Sequence, residues 1–268
     1  EKNLLKPATG QPVITPKLDI ALGCFYLTRH SIDDQGEVKR FFGSEKEAKL
    51  AYKGRQILLQ ERIKVRVVEA HSKFPEDAPV LLETSIGRIL FNEIIPDKLP
   101  YYNETINVKK LGTIIRLCLE IYGQETTAFF LDELKNLGYR YVTKSGYSLG
   151  MDDFPKIVER PGLIKEGDEL VKEMEEQFQE GLLTQGERHA KILEIWTEVK
   201  DKIIANNKNI LNKNGPVYAM IDSGARGTYG QLGQVMGMKG LVVSPSGEVI
   251  ELPVKGNFKE GFDVLEYF

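Results

Sequence analysis

Apolar and polar residues alternate with a helical period most clearly in two neighbouring segments, residues 170–178 and 192–203. Within each segment the apolar residues recur every three or four positions, which is the spacing of one helix face. A turn at 181–186 with a glycine at each end separates them, and Thr184 and Glu187 have capping-box spacing. The pattern predicts an antiparallel helical hairpin. Because its apolar stripes are narrow, it fits either two helices of an ordinary bundle or a hairpin that packs mainly on itself and projects.

The first part of the chain has shorter and less regular patterns. Residues 20–27 fit a short helix or a strand, and Ser44, with a glutamate three positions later, predicts the start of a helix. Residues 65–68 predict a strand. The apolar run at 80–91 predicts two β-type runs that are broken at Gly87.

Helical patterns return at 109–123 and 126–137, where Gly138 has the position of a helix C-cap. Residues 139–150 then predict a strand and a turn. Beyond the hairpin, residues 217–221 fit a buried strand or the start of a helix. Two β-type runs near the C-terminus, 241–243 and 249–254, flank a Ser-Gly turn. Together these patterns predict an irregular α+β fold built from several parts.

Composition narrows the class of protein. The chain has 268 residues, 41% hydrophobic and 28% charged, with a formal net charge of −3, which fits a globular protein of one or two domains. This charge argues against a stand-alone nucleic-acid binder that depends on excess positive charge. No apolar run approaches the length of about 20 residues that a membrane span needs. Cys24 and Cys118 lie in apolar runs and are expected to be buried thiols, which indicates a reducing, cytoplasmic compartment.

No self-contained catalytic site is expected from the residue patterns. The three histidines are scattered, and no paired-cysteine, His-Glu-x-x-His or Gly-x-Ser-x-Gly motif occurs. The chemically most suggestive segment is Asp-Ser-Gly-Ala-Arg-Gly-Thr at 222–228, in which Arg226 stands close to two glycines. It is neither a Walker loop nor a dinucleotide fingerprint. It fits a structural turn with a solvent-facing arginine, or an arginine fork that contacts phosphate.

A series of longer motifs runs in order along the whole chain. They include Gly-Arg-Ile-Leu-Phe-Asn-Glu at 87–93, the 222–227 segment and Gly-Met-Lys-Gly at 237–240. The others lie at residues 3–12, 19–28, 143–153, 181–188, 245–251, 257–261 and 264–268. In this order and spacing the chain resembles the beta-prime subunit family of bacterial RNA polymerases, nearly from end to end.

The resemblance implies that the chain is an internal piece of a nucleotidyltransferase, and both of its ends are expected to be cuts through a longer protein. It implies three regions: a pore region at 1–160, a secondary-channel rim hairpin at 161–215, and a glycine-rich loop leading to the bridge helix at 216–268. The hairpin is then expected to project. The Mg²⁺ ligands of the whole enzyme are expected upstream, so the isolated piece is expected to be inactive and to hold no metal.

The resemblance also implies residue roles. Arg226 matches an arginine near the phosphates of the incoming nucleoside triphosphate. The loop expected to support the active centre comprises Ser223, Gly224, Gly227, Gln231, Gly237, Lys239, Gly240 and Pro245. The hairpin tip expected to receive regulators comprises Leu182, Thr184, Glu187 and Arg188. The implied partners are the beta, alpha, omega and sigma subunits, template DNA and RNA, nucleoside triphosphates, and secondary-channel factors of the Gre type, with no membrane.

The glycine-rich loop departs from the family pattern at three positions. Gly233 replaces a usual second arginine, Met236 replaces a small residue before Gly237, and Lys239 replaces the arginine of Gly-Met-Arg-Gly. Lysine and arginine are not interchangeable where a bidentate contact is made. Two other functions remain open: an interaction module that works mainly through regulator docking at the hairpin, and an independent nucleotide-binding domain.

Overall fold

A computed structural model describes residues 13–31, 38, 40–66 and 81–268, without the side chains of 206–209. The chain divides into two compact units. The first comprises Glu1–Ser148 and Tyr218–Arg226, and the second comprises Leu149–Val217 and Gly227–Phe268. The predicted division into three regions stays a prediction.

Three helices form the centre of the first unit: α1 (Asp19–Thr28), α3 (Ile86–Ile94) and α4 (Val108–Ser145). A shorter helix, α2 (Glu45–Lys53), begins where Ser44 predicts it, because the Ser44 side chain accepts a hydrogen bond from the backbone N–H of Glu47. The Glu47 carboxylate in turn accepts from the N–H of Gly43 rather than from Ser44. The two hydrogen bonds together stabilise the first turn of α2.

A small mixed sheet completes the first unit among the described residues. It contains β1 (Phe41–Phe42), β2 (Ile63–Arg66) and β3 (Leu81–Thr84), in that order across the sheet. β1 and β2 are parallel, and β2 and β3 are antiparallel. The predicted strand at 65–68 is confirmed for its first two residues, and 67–68 lie outside the described residues.

Glycine allows α1 to lie very close to both of its neighbouring helices. An ideal Cβ on Gly23 would lie 2.0 Å from the carbonyl oxygen of Gly138 in α4, and one on Gly87 would lie 1.7 Å from that of Leu27 in α1. Real Cβ atoms do not make such contacts, so only glycine fits at these crossings. Of the two β-type runs predicted at 80–91, the first is confirmed by β3. The second run and the break at Gly87 are wrong: Gly87 lies inside α3, which Ser85 caps, and packs against α1.

Helix α4 is longer than the sequence predicts. The expected end at Gly138 and the strand expected within 139–150 are wrong, because α4 continues to Ser145. The turn expected in the same stretch is present at Gly146, whose φ is 60°. Gly138 is a packing residue rather than a cap, since its Cβ position lies 2.9 Å from the Cα atom of Ile20. Gly123, with φ of 76° and ψ of −169°, interrupts the helical backbone within α4.

The second unit contains the predicted hairpin, and the prediction is confirmed. Its helices are α5 (Arg160–Gln179) and α6 (Gln185–Ile210). Gly167 near the start of α5 packs against Trp196 in α6, while Phe178 at its end lies beside Arg188, so the helices are antiparallel. Thr184 and Glu187 form the predicted capping box.

Short elements follow the hairpin: α7 (Pro216–Asp222), α8 (Tyr229–Leu232), a π-helical turn at Gly233–Gly237, and α9 (Val264–Tyr267). The expected β-type runs near the C-terminus form only isolated antiparallel bridges, Val243 with Val249 and Gly240 with Val254.

The irregular α+β fold predicted from the sequence is confirmed. Cys24 and Cys118 are free and buried as predicted, and burial raises the pKa of Cys24 to about 12.

Candidate functional site

The segment that carries Arg226 is an ordered turn at the end of α7. The Ser223 hydroxyl donates to the Met220 carbonyl oxygen at 3.1 Å and accepts from the Ala225 N–H at 3.2 Å. The backbone N–H of Arg226 donates to the same Met220 oxygen at 3.2 Å. Serine is typical of turns because its hydroxyl can replace backbone hydrogen bonds in this way. These three bonds fix the backbone up to Arg226. We call residues 222–226 the Arg226 turn.

The Arg226 turn lies against the first residue of α4. The backbone N–H of Val108 donates to the Ser223 carbonyl oxygen at 2.9 Å. Gly224 has φ of 74°, and an ideal Cβ there would lie 3.3 Å from the Val108 Cβ atom. Ser223 is fully buried, and Ala225 also packs into the hydrophobic core of the first unit. The turn is therefore part of a rigid core rather than a loose connection.

The side chain of Arg226 is exposed. Its guanidinium makes no hydrogen bond or ion pair with any residue that the structure describes. The next residue, Gly227, has φ of 82°, and Thr228 then caps α8. An arginine fork on a fixed backbone, without an internal carboxylate, can donate two hydrogen bonds to a phosphate group.

The other predicted loop residues have mainly structural contacts. Gln231 completes the capping box of α8, because its side-chain oxygen accepts from the Thr228 N–H at 3.1 Å. An ideal Cβ on Gly237 would lie 2.5 Å from Cγ2 of Ile203, so this glycine allows close packing against α6. Gly240, with φ of 84°, would place a Cβ 3.1 Å from Cδ of Lys200.

Lys239, which departs from the family pattern, contacts Gly256 and Phe262. Its backbone N–H donates to the Gly256 carbonyl oxygen at 3.0 Å, and its Nζ lies 5.5 Å from the centre of the Phe262 ring. A cation above an aromatic face is favourable. Pro245 is exposed in the turn next to the Val243–Val249 bridge. Gly233 is buried in the π-helical turn.

The predicted loop residues thus fall into two groups. Ser223, Gly224 and Arg226 belong to the first unit, whereas the remainder from Gly227 to Pro245 belong to the second.

At the hairpin tip, Leu182 is an apolar residue with 68% of its surface exposed. The capping box beside it is complete: the Glu187 N–H donates to the Thr184 hydroxyl at 3.3 Å, and the Thr184 N–H donates to the Glu187 carboxylate at 2.9 Å. The hydrogen bond from the Thr184 backbone lowers the pKa of Glu187. The tip is therefore a defined structure that presents Leu182 outward.

Arg188, the fourth predicted tip residue, is engaged inside the second unit. Its Nη2 donates to both carboxylate oxygens of Glu251, at 3.0 and 2.9 Å, and its guanidinium lies 5.3 Å from the centre of the Phe178 ring. His189 Nδ1 lies 2.7 Å from Glu251 Oε1. The hydrogen bond with His189, followed by the nearby Arg188 charge, lowers the pKa of Glu251. Glu251 had no predicted role, because nothing in its local sequence pairs it with the hairpin.

Two further contacts connect the 251–260 segment with the hairpin. Lys255 Nζ lies 2.6 Å from Asp168 Oδ1 and 5.4 Å from the centre of the Trp196 ring. Arg160 pairs with Glu260. The two helices of the hairpin therefore pack against each other and also bind the 251–260 segment through these polar contacts. Its narrow apolar stripe leaves polar side chains beside it, and these bind the 251–260 segment.

The described residues contain no group of three or more His, Cys, Asp or Glu side chains placed to hold a metal ion. They also contain no helix that is long and apolar enough to cross a membrane.

Comparison with known proteins identifies the class of the chain. The family described as RNA polymerase Rpb1, domain 3, matches residues 3–154, and the family described as RNA polymerase Rpb1, domain 4, matches residues 170–260. The chain belongs to the RNA polymerase Rpb1 family, with domain 3 covering more than half of it.

Individual relatives agree with this assignment. The chain is 41% identical to the DNA-directed RNA polymerase subunit beta' of Syntrophomonas wolfei, over 99% of this chain and 23% of that protein. It is 40% identical to the same subunit of Heliobacterium modesticaldum, with the same coverage. The chain thus spans less than a quarter of the length of these curated relatives. The resemblance to the beta-prime family is confirmed.

Proposed function

We propose that this chain works as part of a DNA-directed RNA polymerase, in which the Arg226 turn contacts the phosphates of an incoming nucleoside triphosphate. The observation that carries this proposal is the exposed Arg226 guanidinium, which has no partner among the described side chains although its backbone is fixed by the Ser223 hydrogen bonds. The family assignment supports a polymerase context.

The chemistry of nucleotidyl transfer explains why such an arginine is useful. The reaction depends mainly on positioning the triphosphate and on neutralising negative charge at the leaving pyrophosphate. A guanidinium donates bidentately to phosphate oxygens and carries its charge at all relevant pH values. Because the backbone of the turn is ordered before the nucleotide arrives, binding has to order only the Arg226 side chain.

In this proposal Mg²⁺ is held by other parts of the whole enzyme and not by this chain. Bound Mg²⁺ supplies charge neutralisation in phosphoryl chemistry, but the described residues offer no acidic cluster that fits it. The resemblance to the family places the ligands upstream of this chain. The proposed task of this chain is therefore to bind and orient the triphosphate, in the cytoplasm and together with the other polymerase subunits, template DNA and RNA.

Substitution of Arg226 tests the proposal. We expect Arg226→Ala in the assembled polymerase to raise the apparent KM for nucleotides by about 10-fold or more, since a charge-assisted hydrogen-bond pair contributes about 1.5–3 kcal/mol. Arg140→Ala removes another exposed arginine of the first unit and provides the matched control. Unchanged nucleotide kinetics in Arg226→Ala would reject the assignment. Micromolar nucleotide binding by the isolated chain would instead favour an independent nucleotide-binding domain.

A second proposed function is the docking of transcript-cleavage factors of the Gre type at the hairpin tip. It is supported by Leu182, which is apolar and exposed on a tip that the Thr184–Glu187 capping box orders. An exposed apolar side chain on a rigid element is a suitable anchor for a partner.

Leu182→Ser is expected to weaken the response of the polymerase to such a factor by about 10-fold, because burying a leucine stabilises a contact by about 1.5–3 kcal/mol. Basal elongation should not change. Val158→Ser, which alters another exposed apolar residue of the second unit, is the control. An equal cleavage-factor response in both variants would argue against docking at the tip.

A further inference from the structure

The first N–H groups of an α-helix have no partner inside the helix and need one from elsewhere. In α4 the Asn107 side chain accepts from the N–H of Lys110 at 3.0 Å. The N–H of Val108, the first residue of the helix, instead donates to the Ser223 carbonyl oxygen in the Arg226 turn at 2.9 Å. The start of α4 therefore holds a segment that is distant in sequence.

The segment that leads into this N–H is itself held by the core. Two residues before Val108, the Ile106 N–H donates to the Thr28 hydroxyl at 2.9 Å, and the Thr28 hydroxyl donates to the Cys24 carbonyl oxygen at 2.8 Å within α1. Thr28 and Ile106 are fully buried. The Val108 N–H thus projects from a rigid core.

A continuous series of hydrogen bonds leads from Val108 to Arg226. Val108 binds the carbonyl of Ser223; the Ser223 hydroxyl binds the carbonyl of Met220; and this carbonyl also accepts from the N–H of Arg226 at 3.2 Å. Gly224, whose φ is 74°, allows the turn to approach Val108 closely.

We infer that Val108 is a positioning residue for Arg226: its backbone N–H seats the Arg226 turn and thereby orients the guanidinium for the triphosphate. This inference rests on the proposed function of Arg226. Val108 itself touches neither nucleotide nor reacting atoms. Its effect passes through Ser223, which is the second positioning residue.

Proline provides a specific test, because it removes the N–H while it is favoured at the first position of a helix. Asn107, the preceding residue, is extended with φ of −114° and ψ of 176°, which is the backbone region that a residue before proline adopts. Val108→Pro should therefore leave α4 intact and delete only the bond to Ser223. Val108→Ala is the matched control, because it also shortens the side chain but keeps the N–H.

Hydrogen exchange and nucleotide kinetics, both measured in the assembled polymerase, distinguish the positioning role of Val108 from the proposed phosphate contact of Arg226. Relative to Val108→Ala, Val108→Pro should speed hydrogen exchange of the backbone amides at 225–226. It should also raise the apparent KM for nucleotides about fivefold, the effect of one lost hydrogen bond, with less than a twofold change in kcat. In an Arg226→Ala background the KM difference should disappear, because both changes act through the same side chain.

Equal exchange and equal KM in the two Val108 variants would overturn the inference. Faster exchange with a normal KM in Val108→Pro, while Arg226→Ala raises KM, would overturn the positioning role alone. Normal KM in both Val108→Pro and Arg226→Ala would overturn the proposed function as well. If Val108→Pro does not assemble, Ser223→Ala tests the same series of bonds, and the same rise in KM is expected; a normal KM there would overturn the inference.

Discussion

Replacement of Gly23 by alanine is expected to destabilise the first unit by about 3 kcal/mol, because overpacking of a tight core typically costs 1–3 kcal/mol and sometimes more. The added Cβ would lie 2.0 Å from the carbonyl oxygen of Gly138 and 2.9 Å from its Cα atom. Both obstacles are backbone atoms, so no side-chain rotation relieves the clash. Helices α1 and α4 would have to move apart, which opens the core between them. Urea unfolding of the chain measures the loss.

Gly112 offers a matched control for this substitution. It also lies in a helix, α4, but its Cβ position has no atom within 4 Å that would clash. Gly112→Ala is therefore expected to be neutral or to stabilise the chain by up to about 1 kcal/mol, since alanine favours helix more than glycine does. Equal free energies of unfolding for Gly23→Ala and Gly112→Ala would contradict the close crossing of α1 and α4.

Removal of the Arg88 side chain is expected to cost about 3–5 kcal/mol of stability in the first unit. Arg88 is only 7% exposed, and its guanidinium donates to the Thr28 carbonyl at 2.9 Å and to the Asn103 carbonyl and side-chain oxygens at 2.7 and 3.2 Å. Burial lowers its pKa to about 10, so the group remains charged at neutral pH. Arg88→Ala leaves a cavity and removes the donor from one buried and two partly buried acceptors.

The same urea experiment tests Arg88. Arg88→Lys keeps the charge but supplies fewer, less directed donors, so an intermediate loss is expected. The exposed Arg140→Ala should change the free energy of unfolding by no more than about 0.5 kcal/mol. A loss of that small size in Arg88→Ala would show that the guanidinium does not connect α1, α3 and the Asn103 loop. The Thr28 hydroxyl also accepts a hydrogen bond from the Ile106 N–H, two residues before Val108. Both stability predictions therefore concern the part of the first unit that holds the Arg226 turn.

The sequence correctly predicts the elements that depend on interactions between residues close together in the chain. The hairpin followed from its apolar period, and Ser44 and Thr184 marked helix starts because their hydroxyls bind N–H groups three residues later. At Gly87 and Gly138 the sequence predicts breaks, because a sequence shows that a side chain is missing but not why. In the structure both glycines allow another helix to approach, and this cause is tertiary.

The same distinction applies to the candidate site. The glycines around Arg226 identified a turn, and the family motifs suggested phosphate contact, but the hydrogen bond from Val108 joins segments that no local pattern relates. The same is true of the contact of Glu251 with Arg188 and His189. Arg188 was expected at a docking surface because it lies near the tip, whereas its guanidinium is engaged by Glu251, whose position depends on the fold of the 251–260 segment.

The most direct test of the central claim is the nucleotide-concentration dependence of single-nucleotide addition by polymerase that carries Arg226→Ala. We expect the apparent Kd for the nucleoside triphosphate to rise by about 10-fold or more. Arg226→Lys should recover only part of the affinity, because lysine keeps the charge but not the planar fork. If addition by Arg226→Ala saturates at the same nucleotide concentration as addition by the wild type and by Arg140→Ala, the Arg226 turn does not bind the triphosphate.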